Sequence, residues 1–258
     1  MRAYRAALAI LSLGAWVARA ASTSTDQNWP QWRGPFANGV APHGNPPLIW
    51  SETNNVKWKV RIPGSGSASP IVWENLVFLQ TAIPTRKKVQ LPPEKSQSPQ
   101  VAPDAPVQNP QGRPRGGGML PAEKPSEFYQ FVLLCLDRQT GKMLWQKVAR
   151  EEVPHEGHRA NDGSFASASP VTDGKHVFAY FGSRGLHCYD RQGNLEWEKD
   201  FGRMQTKMSF GEGSSPTLFG STIVINWDHD EKFDASPAVV DRELFLRGHE
   251  YLYCVTGK

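Results

Sequence analysis

The stretch Gly163–Trp197, GSFASASPVTDGKHVFAYFGSRGLHCYDRQGNLEW, decides the fold. It reads as four short strands joined by turns. Ser167–Val171 is the first, and Asp173-Gly174 suits a tight hairpin because glycine accepts positive φ. Val177–Phe181 is an apolar, aromatic second strand and Leu186–Asp190 the third. Arg191–Asn194 turns the chain again, and Leu195–Trp197 begins the fourth. A lone meander of this size leaves both faces uncovered, so it needs neighbours of its own kind.

Those neighbours are present as repeats. A Ser-Pro pair opens four segments, at Pro70, Pro170, Pro216 and Pro237, and eight residues later come Phe78, Phe178, Val224 and Phe245. A third-strand pattern recurs as LLCLDRQTG (Leu133–Gly141), LHCYDRQG (Leu186–Gly193) and LYCVTGK (Leu252–Lys258). A fourth-strand pattern places Trp145 and Trp197 in equivalent positions, with Val56-Lys57-Trp58 as a third copy. The 46 residues from Pro170 to Pro216 match one four-stranded propeller blade. The chain opens with a fourth-strand copy, Val56–Val60, and ends with a first-second-third set, Ala235–Val255. That offset predicts closure of the ring by the N-terminal strand.

With these residues the chain resembles the PQQ-like β-propeller repeat proteins of bacterial envelopes, and more distantly the quinoprotein dehydrogenases and the outer-membrane assembly lipoprotein. The resemblance implies an all-β propeller of four-stranded antiparallel blades. It covers roughly residues 28–258 apart from one insert. Full-length members look like rings of about seven or eight blades, far more than this chain can hold. Only 21 residues separate Pro216 from Pro237, which leaves no room for that blade's third and fourth strands. The expectation is an internally shortened ring of about three and a half blades, with the junction near Asp230–Lys232.

Four regions follow: 1–20, 21–49, the blades over 50–83 and 127–258, and an insert over 84–126 within the first blade. Met1–Ala20 reads as a signal peptide, with Arg2 and Arg5, an apolar run Ala6–Val17 and a small-x-small site at Ala18-Arg19-Ala20. That run is too short to span a bilayer, and no cysteine near the site suggests a lipid anchor. The reading is a periplasmic or secreted protein without a transmembrane segment. Removing the segment takes three Arg and no acid, lowering the net charge from +4 to +1. The insert Pro84–Pro125 carries seven Lys/Arg against three acids and ten of the 21 prolines. It should stay disordered, for want of apolar surface to bury, and the rest of the chain is weakly acidic. The basic pI is therefore no nucleic-acid footprint.

Trp29 and Trp32 precede the repeats and are expected to pack on the outside of the ring, with a sugar-stacking platform as the sharper alternative. Cys135, Cys188 and Cys254 hold one position in three blades, beyond the ~7 Å limit for bridging, so they read as small buried residues. Trp58, Trp145 and Trp197, like Pro70, Pro170, Pro216 and Pro237, read as structural repeat positions.

Loops from strand four to the next blade, and from strand two to strand three, emerge on one face of a propeller. That gathers His155, Glu156, His158, Asp162, Arg184, Asp228, His229 and Asp230 as candidate ligand-binding residues. A mixed His/carboxylate group of this kind could hold a divalent metal or an anion, but His155 and His158 sit in a loop whose spacing fixes no geometry. Solvated loop residues are the plainer reading, with Arg184 paired to Asp190 or Glu156. No metal site and no catalytic residue is assigned. Quinoprotein dehydrogenases look to require an adjacent cysteine pair, calcium ligands and a catalytic Asp, and none maps onto this sequence. The resemblance thus reaches the fold and stops before the cofactor; PQQ with calcium belongs only to the alternative reading of an oxidoreductase remnant. The first reading is an exported binding scaffold for an envelope protein or glycan. The other alternative is a non-functional truncated product, whose open edges predict strand-swapped oligomers.

Overall fold

The structure is a computed structural model that describes residues 25–89, 122–159, 163–206 and 209–227, and the strand backbones of 238–240, 243–247 and 252–256. Every strand pairing is antiparallel. The first sheet holds β1 (Ile71–Trp73), β2 (Leu76–Lys88), β3 (Glu127–Asp137) and β4 (Met143–Glu152), in that order. The second holds β5 (Val171–Thr172), β6 (His176–Tyr180), β7 (Leu186–Asp190) and β8 (Leu195–Lys199). A two-stranded sheet follows, β9 (Thr217–Phe219) with β10 (Thr222–Val224), and then a three-stranded one, β11 (Ala238–Val240), β12 (Glu243–Arg247) and β13 (Leu252–Thr256).

Register confirms the repeat. Ile71, Phe78, Cys135 and Trp145 stand in one cross-strand row of the first sheet, and Val171, Phe178, Cys188 and Trp197 in the same row of the second. Ala238, Phe245 and Cys254 repeat it in the three-stranded sheet. Burial pushes the Cys135 and Cys188 thiols up to about 12, so both stay protonated and inert.

The core lies between sheets. Alternation on β3 sends Phe131, Leu133 and Cys135 against Val177, Ala179, Phe181 and Tyr189 of the second sheet. It sends Val132, Leu134 and Leu136 the other way, against Ile62, Val77 and Met143. Buried on both faces, β3 therefore reads as a continuous apolar run, as such strands do. On its far side the second sheet packs Val171, Phe178 and Tyr180 against Leu218, Ile223 and Trp227.

The Asp-Arg-Gln turns lock neighbouring sheets together. Asp137 Oδ1 accepts from the Gln139 and Thr140 amides at 3.0 and 2.7 Å, and Asp190 Oδ1 from those of Gln192 and Asn194 at 2.9 and 2.8 Å. Each turn ends on a positive-φ glycine, Gly141 at 71° and Gly193 at 83°. A Cβ on Gly193 would lie 2.9 Å from the Trp145 ring, and one on Gly141 would lie 2.6 Å from the Trp58 ring. The indole N–H of Trp145 donates to the Arg191 carbonyl at 3.1 Å, and that of Trp58 to the Arg138 carbonyl at 3.0 Å.

Trp58 thus does for the first blade what Trp145 does for the second, but Val56–Val60 is not a strand. Its alternating pattern finds no ladder among the described residues, so the expected ring-closing strand is replaced by one anchored indole. Trp197 departs in another way. It packs on Phe178 of its own sheet, 5.9 Å between ring centroids, and is 43% exposed, because β9–β10 brings no third-strand turn to receive it.

Three further expectations shift. The first strand of the second sheet begins at Val171 rather than Ser167, because its serines bond across blades. The Ser69 amide donates to Ser169 Oγ and the Ser169 amide to Ser215 Oγ, both at 2.9 Å. The insert starts later than Pro84: β2 continues to Lys88, opposite Glu127, and a register irregularity after Pro84 absorbs the missing proline N–H. Residues 90–121 lie outside the described part. Trp29 does not pack on the outside but is bonded into the first strands, while Trp32 stays 53% exposed. The first strands approach one another, β1 to β5 and β5 to β9, and the N-terminal segment runs across all three. Trp29 and Val72 exchange two backbone bonds of 2.8 Å, the Thr172 amide donates to the Pro30 carbonyl at 2.9 Å, and the Leu218 amide to Gln31 Oε1 at 3.3 Å.

Candidate functional site

Four segments converge on Arg184. This residue closes a 3-10 turn, Gly182–Arg184, between β6 and β7, and its side chain is only 5% exposed. The guanidinium donates to Glu152 Oε1, at the end of β4, at 3.1 Å and to Glu212 Oε1, ahead of β9, at 3.3 Å. It also lies 5.0 Å from the Phe131 ring centroid. Two carboxylates and an aromatic face satisfy the planar fork that arginine presents.

His155, on the loop after β4, completes the group. Its Nε2 lies 2.6 Å from the Met204 carbonyl, which can only accept, so Nε2 carries the proton and Nδ1 faces Arg184 Nη2 at 3.5 Å. Glu212 accepts from the Ser183 amide and hydroxyl, each at 2.5 Å, while the Met204 amide donates to Ser183 Oγ at 2.7 Å. His187 supports Arg184 from behind, donating from Nε2 to the Arg184 carbonyl at 3.0 Å. Its Nδ1 sits 3.3 Å from Glu198 Oε2, without the alignment of a hydrogen bond. Burial holds His187 below its ordinary value of 6.5.

Glu156 is tied separately. Its carboxylate accepts from the Thr206 amide at 3.1 Å and the Thr206 hydroxyl at 2.7 Å. His158 turns away, its ring edge-on to Phe165 at 4.5 Å and its Nδ1 3.0 Å from the Arg159 carbonyl. Of the eight candidates, His155 and Arg184 therefore meet, Glu156 sits on the adjoining loop contact, and His158 faces an aromatic pair instead. Asp162, Asp228, His229 and Asp230 lie outside the described residues. The expected surface bridge from Arg184 to Asp190 or Glu156 is corrected to a buried one with Glu152 and Glu212, since the turn aims the side chain between sheets. Sequence reasoning missed both partners. Glu212 stands alone between two glycines just before a Ser-Pro opening, which was the available signal.

A cavity of about 20 Å³, room for about one water, adjoins the group and is lined by Glu156, Ser164, Tyr180, Arg184, Glu212 and Ser214. The buried Tyr180 hydroxyl has no bonding partner among the described residues, and burial, then the Glu212 charge, raises its pKa. Among the described residues no group of three or more His, Cys, Asp or Glu could hold a metal ion. Every charged atom of the cluster already has a partner, so its evident work is to fix three loops against one another.

Residues 130–226 match the family described as outer membrane protein assembly factor BamB. The chain resembles PQQ-like β-propeller repeat proteins. The match begins in β3, ends just past β10, and covers under half of the chain. BamB from Moraxella catarrhalis is a similar solved structure, with 17% identity over 50% of this chain and 34% of that one, at a TM-score of 0.25. The chain thus spans about a third of that structure's length. No curated protein matches the chain. No described helix is long and apolar enough to cross a membrane.

Proposed function

We propose that the chain is an exported, non-catalytic PQQ-like propeller that serves as a binding scaffold in the cell envelope. The observation that carries this reading is the saturated Arg184 cluster. Its carboxylates, imidazole and guanidinium are spent on one another and on backbone groups, which stiffens a loop face and leaves none of these groups poised as a base or nucleophile. A rigid face of loops on a sheet scaffold is how repeat folds present binding residues. The family match adds an associational argument for an envelope partner, a protein or a glycan. Met1–Ala20 would be removed on export.

The test has two arms. The purified mature chain should show no quinone absorbance and no calcium-dependent dye reduction after PQQ is added; turnover would overturn the reading in favour of an oxidoreductase remnant. A photo-reactive residue in place of His158, introduced in the producing cell, should cross-link an envelope component. The intact mass of the mature protein should lack Met1–Ala20. One observation favours the other alternative, a truncated product: among the described residues the β9–β10 sheet has only two strands.

A further inference from the structure

A groove of about 520 Å³ lies beside the inner ends of the first strands, within the usual range for small-molecule sites. Its chemistry differs from that of the Arg184 cluster. It is lined by Trp32, by serines that precede the first strands, such as Ser69, Ser169 and Ser214, and by Phe219 and Asn226. None of its described lining residues is charged. Two of them are large aromatics in the open, Trp32 at 53% and Phe219 at 51% exposed. The Trp32 ring is steadied by Arg33, whose guanidinium carbon lies 5.7 Å from its centroid.

The hydroxyls are held in register by the blades themselves. Ser169 Oγ and Ser215 Oγ each accept a backbone N–H from the preceding blade, so each keeps an O–H that can donate elsewhere. A wall that both donates and accepts, without charge, matches alcohol groups. An ion would lose its hydration there without a counter-charge, and a purely apolar ligand would leave the hydroxyls unpaired. The exposed Trp32 indole in the same groove offers a platform for the apolar face of a sugar ring.

We propose that this groove binds a neutral oligosaccharide, stacked on Trp32 and hydrogen-bonded by the serine row and Asn226. The inference rests on the binding-scaffold reading above and names its ligand class. It also gives a role to the bonding of the N-terminal segment to β1, β5 and β9 in turn: that bracing ends next to Trp32, which lines the groove with the serines.

The experiment is calorimetric titration of the full chain with the neutral β-linked trisaccharides cellotriose and chitotriose. Saturable binding is expected with at least one of them. Trp32→Ala should weaken it at least about tenfold, which corresponds to ~1.4 kcal/mol, and Trp32→Phe should weaken it less. Asn226→Ala reads a second lining residue and covers the case in which Trp32→Ala fails to fold. Absence of saturable binding, or binding that both Trp32→Ala and Asn226→Ala leave unchanged, overturns the inference. A chain that ignores both sugars yet still cross-links an envelope partner through position 158 overturns this inference alone and spares the scaffold reading.

Discussion

The contact between the first and second sheets and the contact between the second sheet and β9–β10 are built from the same repeat, yet only the first is complete. In the first, an aromatic from one sheet meets a turn of the next: Trp145 lies on Gly193 and donates to Arg191, and Phe131 faces Phe181 at 5.8 Å. In the second, Leu218, Ile223 and Trp227 still cover Tyr180 and Phe178, but among the described residues no third-strand turn meets Trp197. Blade contact is therefore modular. The first two strands supply apolar cover, and the third-to-fourth turn supplies the glycine and carbonyl that lock an indole. Deleting the outer half of a blade removes the lock and keeps the cover.

The largest expected effect breaks the complete contact. Phe131 is fully buried, so Phe131→Ala should cost about 3–5 kcal/mol, whereas the half-exposed Phe219→Ala should stay within about 0.5 kcal/mol. Urea unfolding of both variants checks this; equal losses would mean that the open contact is as tightly packed as the closed one.

Arg184→Ala comes next. It leaves Glu212, with a side chain 9% exposed, without its cation, and removing one member of a buried pair typically costs about 3–5 kcal/mol. Arg184 also lies over Phe131, so its effect should not add simply to that of Phe131→Ala. A double-mutant cycle that closes with no coupling would separate the loop cluster from the core.

The open side predicts self-association. Among the described residues β10 pairs only with β9, so light scattering should detect concentration-dependent oligomers formed at its other edge, and Thr222→Lys should move their onset to higher concentration. A monodisperse monomer at all concentrations would show the edge to be covered. A finer comparison uses the tryptophans: Trp145→Phe loses an inter-sheet hydrogen bond and should cost about 1 kcal/mol, while Trp197→Phe should cost close to nothing.

Much of this contrast was legible in the sequence. The row from Phe78 through Cys135 to Trp145, its copy in the second sheet, and the two-strand limit after Pro216 all follow from the spacing of repeated residues. What escaped has no period. Trp29, Pro30 and Gln31 brace three first strands largely through backbone groups, which any residue carries. Glu152 ends a strand and Glu212 sits in a loop, and they meet only because two sheets stack. Val56–Val60 erred in the other direction: its alternation is that of a strand, but a strand needs a partner ladder, and a pattern cannot show whether one is present.

The smallest effect is the sharpest on sign, because two histidines of one sheet titrate in opposite directions. His176 lies in the β5–β6 hairpin, where Asp173 bonds it and Glu196 stands 3.3 Å away; that hydrogen bond raises its pKa above 6.5. Its contribution is full below 6.5 and is lost as pH rises through the higher folded value. His187, buried behind Arg184, is lowered below 6.5 by loss of solvation. Its contribution is present above 6.5 and is lost as pH falls toward the lower folded value, because the unfolded chain takes the proton more readily. Histidine ring NMR should therefore resolve two titrations on either side of 6.5. His187→Gln should flatten the acid side of the stability profile and His176→Gln the alkaline side. If His187 titrates above 6.5, the Glu198 carboxylate outweighs burial, and the support behind Arg184 is an ion pair open to solvent rather than a neutral ring sealed between sheets.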